Sequence, residues 1–194
     1  LAHISVREEK LALAVEKLTG KKVTTVVDPT LLLEKADYED LLYKDRIVKE
    51  KYIFAYYVVE NEMLSKCAQR AAKEYGYRLI ELHYKKTPKI KGENMIFDAG
   101  PSEFLTYIRD AELVLTNSFH GTVFSVLFQK LFYSVYKENG RITNLLTFLN
   151  LERRHIETDT KMDFKDKIDY TTVAEKLCSY REKSVEYLEK GIEQ

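Results

Sequence analysis

The sequence contains no tryptophan, two cysteines and three prolines, and it has no long uninterrupted apolar run. A transmembrane helix needs about 18 or more consecutive apolar residues, so we expect no membrane span. Cys67 and Cys178 are too few and too far apart for a disulfide framework or a zinc site. Each falls on the apolar face of a predicted helix, and we expect both to be reduced core residues.

Neither sign of charge is in excess, because 31 Lys and Arg residues balance 31 Asp and Glu residues. This balance argues against general binding to nucleic acid or to an anionic membrane. The glycine-rich dinucleotide fingerprint, the P-loop and zinc-type motifs are also absent. We therefore predict no metal, no cofactor and no nucleic-acid partner. The chain opens without Met and without a signal-peptide pattern, and its first residues are strand-like, so we expect it to be cut from a longer protein.

Apolar strand-like stretches alternate with amphipathic helical stretches along the chain. Strands are predicted at 23–27, 52–59, 77–84, 95–97, 112–115 and 131–136, and helices at 7–19, 38–44, 61–75, 122–130 and 142–148, with two more after Ser102 and Thr172. This alternation predicts an α/β fold, a Rossmann-like three-layer sandwich with a mostly parallel sheet. Helix caps are predicted at Asp37, Asn61 and Ser102, and as a capping box at Thr172 and Glu175.

The stretch 111–136 predicts a strand–turn–helix–strand unit whose polar turn is Asn117-Ser118-Phe119-His120-Gly121. Ligands of parallel sheets bind at such carboxyl ends, beside helix N-termini. His120 is the candidate titrating group, or else it braces the turn. Ser118 and Asn117 either cap the helix or direct donors at a phosphate. Gly121 allows close approach of a ligand or permits a positive φ.

Three segments carry a resemblance to a known family. They are 4–9 (ISVREE), 26–33 (VVDPTLLL) and 116–125 (TNSFHGTVFS), the last following an apolar strand. Their composition, order and spacing resemble the polysaccharide pyruvyl transferase family, from Ile4 to about His155. The resemblance implies the C-terminal half of a B-type glycosyltransferase fold, in which two domains face each other across a cleft. It predicts residues 1–35 as a remnant or linker from a missing N-terminal domain, and 36–194 as a Rossmann-like donor-binding domain.

The resemblance also implies an activity. It predicts a transferase that moves a pyruvyl group from phosphoenolpyruvate, the donor substrate, to a pair of sugar hydroxyls, which gives a ketal. The sugar would belong to a surface polysaccharide, such as an exopolysaccharide, or to its lipid-linked precursor. The expected partners are phosphoenolpyruvate, a sugar or lipid-linked saccharide acceptor, and the missing N-terminal domain, without which the fragment can be inactive. The expected location is the cytoplasm, with the inner face of the membrane as an alternative.

Such chemistry requires a cationic clamp for a carboxylate and a phosphate, a proton donor for the methylene carbon, and positioned acceptor hydroxyls. The resemblance makes His120 the catalytic candidate. Arginine suits bidentate anion binding, and both Arg7 and Arg141 follow predicted strand ends. The predicted donor-binding residues are Arg7, Asn117, Ser118, Gly121 and Arg141.

Other polar residues have an ordinary structural interpretation beside a functional one. Asp28, a candidate base, also suits a turn before proline, and Asp98 and Ser102 follow another strand end, so all three are possible cleft-lining residues. The basic loop 85–91 attracts a phosphate-bearing acceptor or is simply solvated. His83 is expected to pack at a strand end. Arg109, Arg153, Arg154 and His155 are expected to be solvated.

Two rival functions fit the same fold. A nucleotide-sugar-dependent glycosyltransferase would need an acidic residue for the nucleotide ribose and a base-stacking pocket. A non-catalytic binding module would not be stabilised by any small anionic donor, and its Arg7 and Arg141 would lie apart from His120.

Overall fold

The computed structural model describes residues 3–84, 94–158, 162 and 166–192. Its strands are β1 (Ser5–Val6), β2 (Thr24–Thr25), β3 (Tyr52–Tyr57), β4 (Arg78–His83), β5 (Met95–Ile96), β6 (Leu113–Thr116), β7 (Phe132–Val135) and β8 (His155–Ile156). Its α-helices are α1 (Glu9–Thr19), α2 (Glu62–Tyr75), α3 (Pro101–Asp110), α4 (Phe119–Leu127), α5 (Gly140–Phe148) and α6 (Tyr170–Ile192). Short 3₁₀ helices span Pro29–Leu31, Ala36–Leu41 and Glu152–Arg154.

Six strands form one sheet in the order β5-β4-β3-β6-β7-β8, and every neighbouring pair is parallel. Alternate residues of β3 face opposite layers. Phe54 packs with residues of α3 and α4, whereas Ile53 and Ala55 pack with α2. The predicted α/β fold with a three-layer, Rossmann-like arrangement is confirmed. Burial on both faces explains why β3 reads as an apolar run without alternation.

The sheet has a switch point between β3 and β6. From β3 the chain adds β4 and β5 on one side, and it then returns to add β6, β7 and β8 on the other. Connections that leave two neighbouring strands in opposite directions open a crevice at the strands' carboxyl ends. The turn after β6 lies at this crevice.

The pair β1–β2 forms a second, separate parallel sheet. The chain that follows β2 is held by α6, because Val27 N donates to Ser184 Oγ at 3.0 Å and Arg181 Nε donates to Leu31 O at 2.9 Å. Val27 and Leu31 are buried in the same apolar cluster as α4. A domain division at residue 35 remains a prediction.

Of the helix caps predicted at Asp37, Asn61, Ser102 and Thr172, the one at Asn61 is confirmed, and the other three are wrong. Asn61 caps α2 by accepting from Leu64 N at 2.9 Å. Ser102 does not cap α3, because Pro101, which needs no N–H partner, starts that helix and Gly100 is its N-cap. Asp37 lies inside a 3₁₀ helix and accepts from Glu34 N at 2.7 Å.

The third wrong cap is the Thr172–Glu175 box, because α6 begins earlier, at Tyr170. Asp169 supplies the acceptors there, binding Thr171 N at 3.0 Å and Thr172 Oγ1 at 2.9 Å. An acidic side chain just before a helix start can bind several free N–H groups at once.

Burial also corrects two predictions made from local charge or pattern, those for Cys178 and Arg154. Cys67 is buried as predicted, but Cys178 is exposed, because it lies one position beyond the buried Leu177 and so turns away from the core. Arg154 is buried, with its guanidinium bound to Asp166 and lying over the Tyr133 ring.

The prediction for His83 is confirmed, and the prediction for His155 is wrong. His155 is half-buried rather than solvated, because its ring stacks on that of Tyr136 at 3.9 Å. His83 packs at a strand end as predicted, stacked on Tyr57 at 4.2 Å.

The basic loop 85–91 lies outside the described residues. Within the residues that are described, no helix has both the length and the apolar character that crossing a membrane requires.

Candidate functional site

The turn between β6 and α4 is built by hydrogen bonds from its own polar residues. Thr116 Oγ1 donates to Tyr56 O at 2.9 Å and accepts from Ser118 N at 3.0 Å. Ser118 is the N-cap of α4, because its Oγ accepts from Gly121 N at 3.2 Å. The helix therefore starts at Phe119, three residues before the predicted start, and His120 lies in its first turn.

Gly121 is required by close packing rather than by an unusual backbone angle. Its φ is not positive, so that alternative from the sequence is wrong. A Cβ added here would lie 2.5 Å from Thr116 Oγ1 and 3.0 Å from Thr116 Cγ2. Only glycine lets α4 begin this close to the end of β6.

Asn117 joins the two strands at the switch point. Its Oδ1 accepts from Val58 N at 2.9 Å, and its Nδ2 donates to Val59 O at 2.7 Å. Both ends of the amide are thereby bonded to the chain that follows β3. Asn117 is buried, and these bonds hold the β6–α4 turn against the neighbouring strand end.

Asp28, Arg7 and His120 meet beside this turn. Asp28 is buried and accepts from Arg7 Nη1, from Thr30 N at 3.1 Å and from Thr30 Oγ1 at 2.7 Å. His120 Nε2 lies 3.8 Å from Asp28 Oδ1. The His120 side chain is 49% exposed, so the imidazole is accessible to a ligand while its Nε2 lies near the carboxylate.

Burial by itself would raise the pKa of Asp28, but hydrogen bonds from Thr30 and Arg7 outweigh it and hold the pKa below 3.8. A depressed folded-state pKa means that the ionised carboxylate stabilises the fold. The stabilisation is complete above the unfolded-state pKa and is lost as pH falls through the folded-state value.

Replacing Asp28 by Asn should therefore destabilise the protein by about 1–3 kcal/mol at neutral pH, because Arg7 loses a charged acceptor. The deficit relative to the unchanged protein should shrink as pH falls below the reference value of 3.8. Urea unfolding of both proteins between pH 7 and pH 3 measures this, with Asp37→Asn as a control at an exposed carboxylate. A deficit independent of pH would show that the charge of Asp28 is not what stabilises the fold.

A cavity of about 430 Å³ opens beside this cluster, a usual volume for a small-molecule site. It lies between the end of β2, the start of α4, α5 and α6. Arg7, Asp28 and Arg141 line it together. Its complete lining is Arg7, Glu9, Thr25, Val26, Val27, Asp28, Leu31, Phe119, Arg141, Asn144, Leu145, Thr147, Phe148, Tyr180 and Lys183.

Arg141 reaches the cavity from the first turn of α5. Its guanidinium lies 5.4 Å from the centre of the Phe119 ring, a cation–π distance, and has no hydrogen bond to any described residue. The five donors of that guanidinium remain available to a bound anion.

The sequence matches a known protein family. The sequence model of the family described as Polysaccharide pyruvyl transferase matches residues 1–137, well over half of the chain. The chain belongs to the polysaccharide pyruvyl transferase family. No curated protein matches the chain significantly. The family match includes β1 to β7 and ends before α5 begins.

The pyruvyl transferase match covers most of the predicted site residues, and the structure brings several of them together. Arg7, Asp28 and Arg141 share one cavity, and His120 adjoins it through Asp28. Asn117, Ser118 and Gly121 form the turn that carries His120. Asp98 and Ser102 follow β5, at the opposite edge of the sheet, and neither lines the cavity. Their participation, like each binding role above, remains a prediction.

Sequence reasoning missed the α5 and α6 side of this transferase cavity. Asn144, Thr147, Phe148 and Tyr180 all line it and were not predicted. A signal was present, because Arg141, Asn144 and Phe148 fall at positions i, i+3 and i+7 and so share one face of a helix.

Proposed function

We propose that this protein takes part in transferring a pyruvyl group from phosphoenolpyruvate to two hydroxyls of one sugar, giving a ketal and inorganic phosphate. The observation that carries the proposal is the convergence of Arg7, Arg141 and Asp28 on one cavity that His120 adjoins. A carboxylate and a phosphate fit two guanidinium groups held at one cavity. Family membership supports the transferase class.

In this proposal each polar group has one task. Arg141, which has no other hydrogen bond among the described residues, binds the donor anion, and Asp28 holds Arg7 in place for the same purpose. His120 donates a proton to the methylene carbon, which becomes the ketal methyl group, and carbon two gains oxocarbenium character. One sugar oxygen then adds to carbon two, phosphate leaves with its bridging oxygen, and the second sugar oxygen takes its place. Of the two hydroxyl protons, one restores His120 and the other leaves with phosphate.

Donor binding is testable by thermal unfolding of the 194-residue chain. Phosphoenolpyruvate at about 100 times its Kd should stabilise the fold by about 2.7 kcal/mol. For a chain of this size that is a rise in Tm of about 5–11 °C. Arg141→Gln should remove the rise, whereas Arg153→Gln, at an exposed arginine outside the cavity, should leave it unchanged.

The same measurement separates the rival functions. Stabilisation by uridine or guanosine diphosphate sugars but not by phosphoenolpyruvate would favour a glycosyltransferase. Stabilisation by neither donor would favour a non-catalytic module. An unchanged response of Arg141→Gln to phosphoenolpyruvate would contradict the assigned donor clamp.

A further inference from the structure

Part of the cavity lining has no task in the proposed binding of the donor. Asn144 and Thr147 stand one helical turn apart on α5, and neither side chain has a hydrogen-bond partner among the described residues. Phe148 and Tyr180 form an aromatic pair beside them, with ring centres 4.7 Å apart. Lys183 completes this part from α6 and has no ion pair within the described chain. We name these five residues the α5–α6 subsite.

We propose that the α5–α6 subsite binds the acceptor as an uncharged pyranose ring, an inference that rests on the proposed function and adds a location and a class for its second substrate. Amide and hydroxyl groups such as those of Asn144 and Thr147 donate to and accept from sugar hydroxyls. The apolar face of a sugar ring packs on aromatic side chains, which supply rigid contact area.

The charge of the cavity decides between an uncharged and an anionic acceptor. Its charged lining consists of Arg7, Arg141 and Lys183 against Glu9 and Asp28, a surplus of one positive charge. A donor with a carboxylate and a phosphate more than neutralises that surplus. An anionic acceptor bound at the same time would meet net negative charge at short range, which costs free energy in a partly enclosed site. A neutral sugar does not meet this cost.

The position of the subsite along the chain also fits an acceptor. Arg7, Asp28 and His120 lie within the region that matches the family, whereas all five subsite residues lie beyond residue 137. Of the residues assigned to the donor, Arg141 alone lies beyond that match. The subsite lies on α5 and α6, outside the matched region. Residues there can differ from those of other family members and so select a different saccharide.

Saturation-transfer NMR on the 194-residue chain tests the inference directly. The probes are methyl glucopyranoside, methyl galactopyranoside and methyl mannopyranoside, with methyl glucuronide as the anionic comparison, each measured with phosphoenolpyruvate present. Irradiation of aromatic protons should transfer magnetisation to the ring protons of at least one neutral glycoside. The glucuronide should bind at least about tenfold more weakly than that glycoside.

The double variant Asn144→Ala, Thr147→Ala should weaken glycoside binding by about tenfold or more and leave the Kd of phosphoenolpyruvate unchanged. Both positions lie on α5 at half-buried or exposed sites, where alanine favours the helix, so the variant should fold. Ser179→Ala, an exposed position on α6 outside the cavity, is the matched control.

Three results would overturn the subsite: no glycoside signal while phosphoenolpyruvate binds, an equal signal from the double variant, or tighter binding of the glucuronide. Failure of the proposed function looks different. Glycoside binding that is lost in the double variant, with no binding of phosphoenolpyruvate to either protein, would keep the sugar site and remove the donor assignment.

Discussion

Replacing His120 by Ala is expected to lower kcat for phosphoenolpyruvate-dependent ketal formation by about 10²–10⁴-fold, the usual contribution of one general acid. The proton needed by the methylene carbon would then have to come from water. The assay is release of inorganic phosphate by the full-length gene product in the presence of donor and saccharide acceptor. Because the His120 side chain is half-exposed, the Tm should change little.

His120→Gln separates proton transfer from hydrogen bonding. Glutamine can donate a hydrogen bond to the donor but cannot give up a proton at neutral pH, so this variant should keep donor affinity and still lose kcat. His3→Ala, at an exposed histidine that does not line the cavity, is the matched control and should keep full activity. Substantial turnover by His120→Gln would rule out His120 as the acid.

Gly121→Ala is expected to destabilise the fold strongly. The added Cβ would lie 2.5 Å from Thr116 Oγ1, so β6 and α4 must separate or Thr116 must give up its bonds to Tyr56 and Ser118. Overpacking of this kind costs about 1–3 kcal/mol, which for this chain length lowers the Tm by about 2–12 °C. Calorimetry or thermal circular dichroism measures the change.

Two further variants identify the cause. Gly140→Ala is a matched substitution at the start of α5, where the nearest atom is at the end of the exposed Glu8 side chain, at 3.2 Å. It should change stability by less than about 0.5 kcal/mol. Thr116→Ala removes the two atoms nearest to the new Cβ. Combined with Gly121→Ala, it should cost at least about 0.5 kcal/mol less than the sum of the single changes. Strict additivity would contradict a clash between these two residues.

The fold could be predicted from sequence where burial alone determines the pattern. β3 and β6 were predicted as strands because both of their faces are buried and their sequences are apolar throughout. α2 was predicted from its amphipathic pattern between the N-cap Asn61 and the left-handed C-cap Gly76. Prediction failed at helix starts, where competing acceptors such as Asp169 are close in sequence. α4 begins three residues earlier than predicted and includes Gly121, a poor helix former that is kept there by its contact with Thr116.

The candidate site was only partly predictable. Local sequence identifies a polar turn after β6, but the meeting of Asp28 with Arg7 and His120 depends on how β2 and α4 pack. The three residues were named as candidates, but their contact was not predicted. The sequence signal for the α5–α6 subsite is weaker. Its residues come from two helices, and the sequence alone does not show that these helices lie side by side.

The parallel pairing of β3 with β6 also bears on how the protein is synthesised. Ile53 pairs with Leu113, about 60 residues later, so one edge of the central strand has no native neighbour until β6 leaves the ribosome. At about 5–20 residues per second, that wait lasts about 3–12 s. During translation this apolar edge is open to pairing with the nascent chains of neighbouring ribosomes, and a chaperone that covers β3 would prevent such pairing.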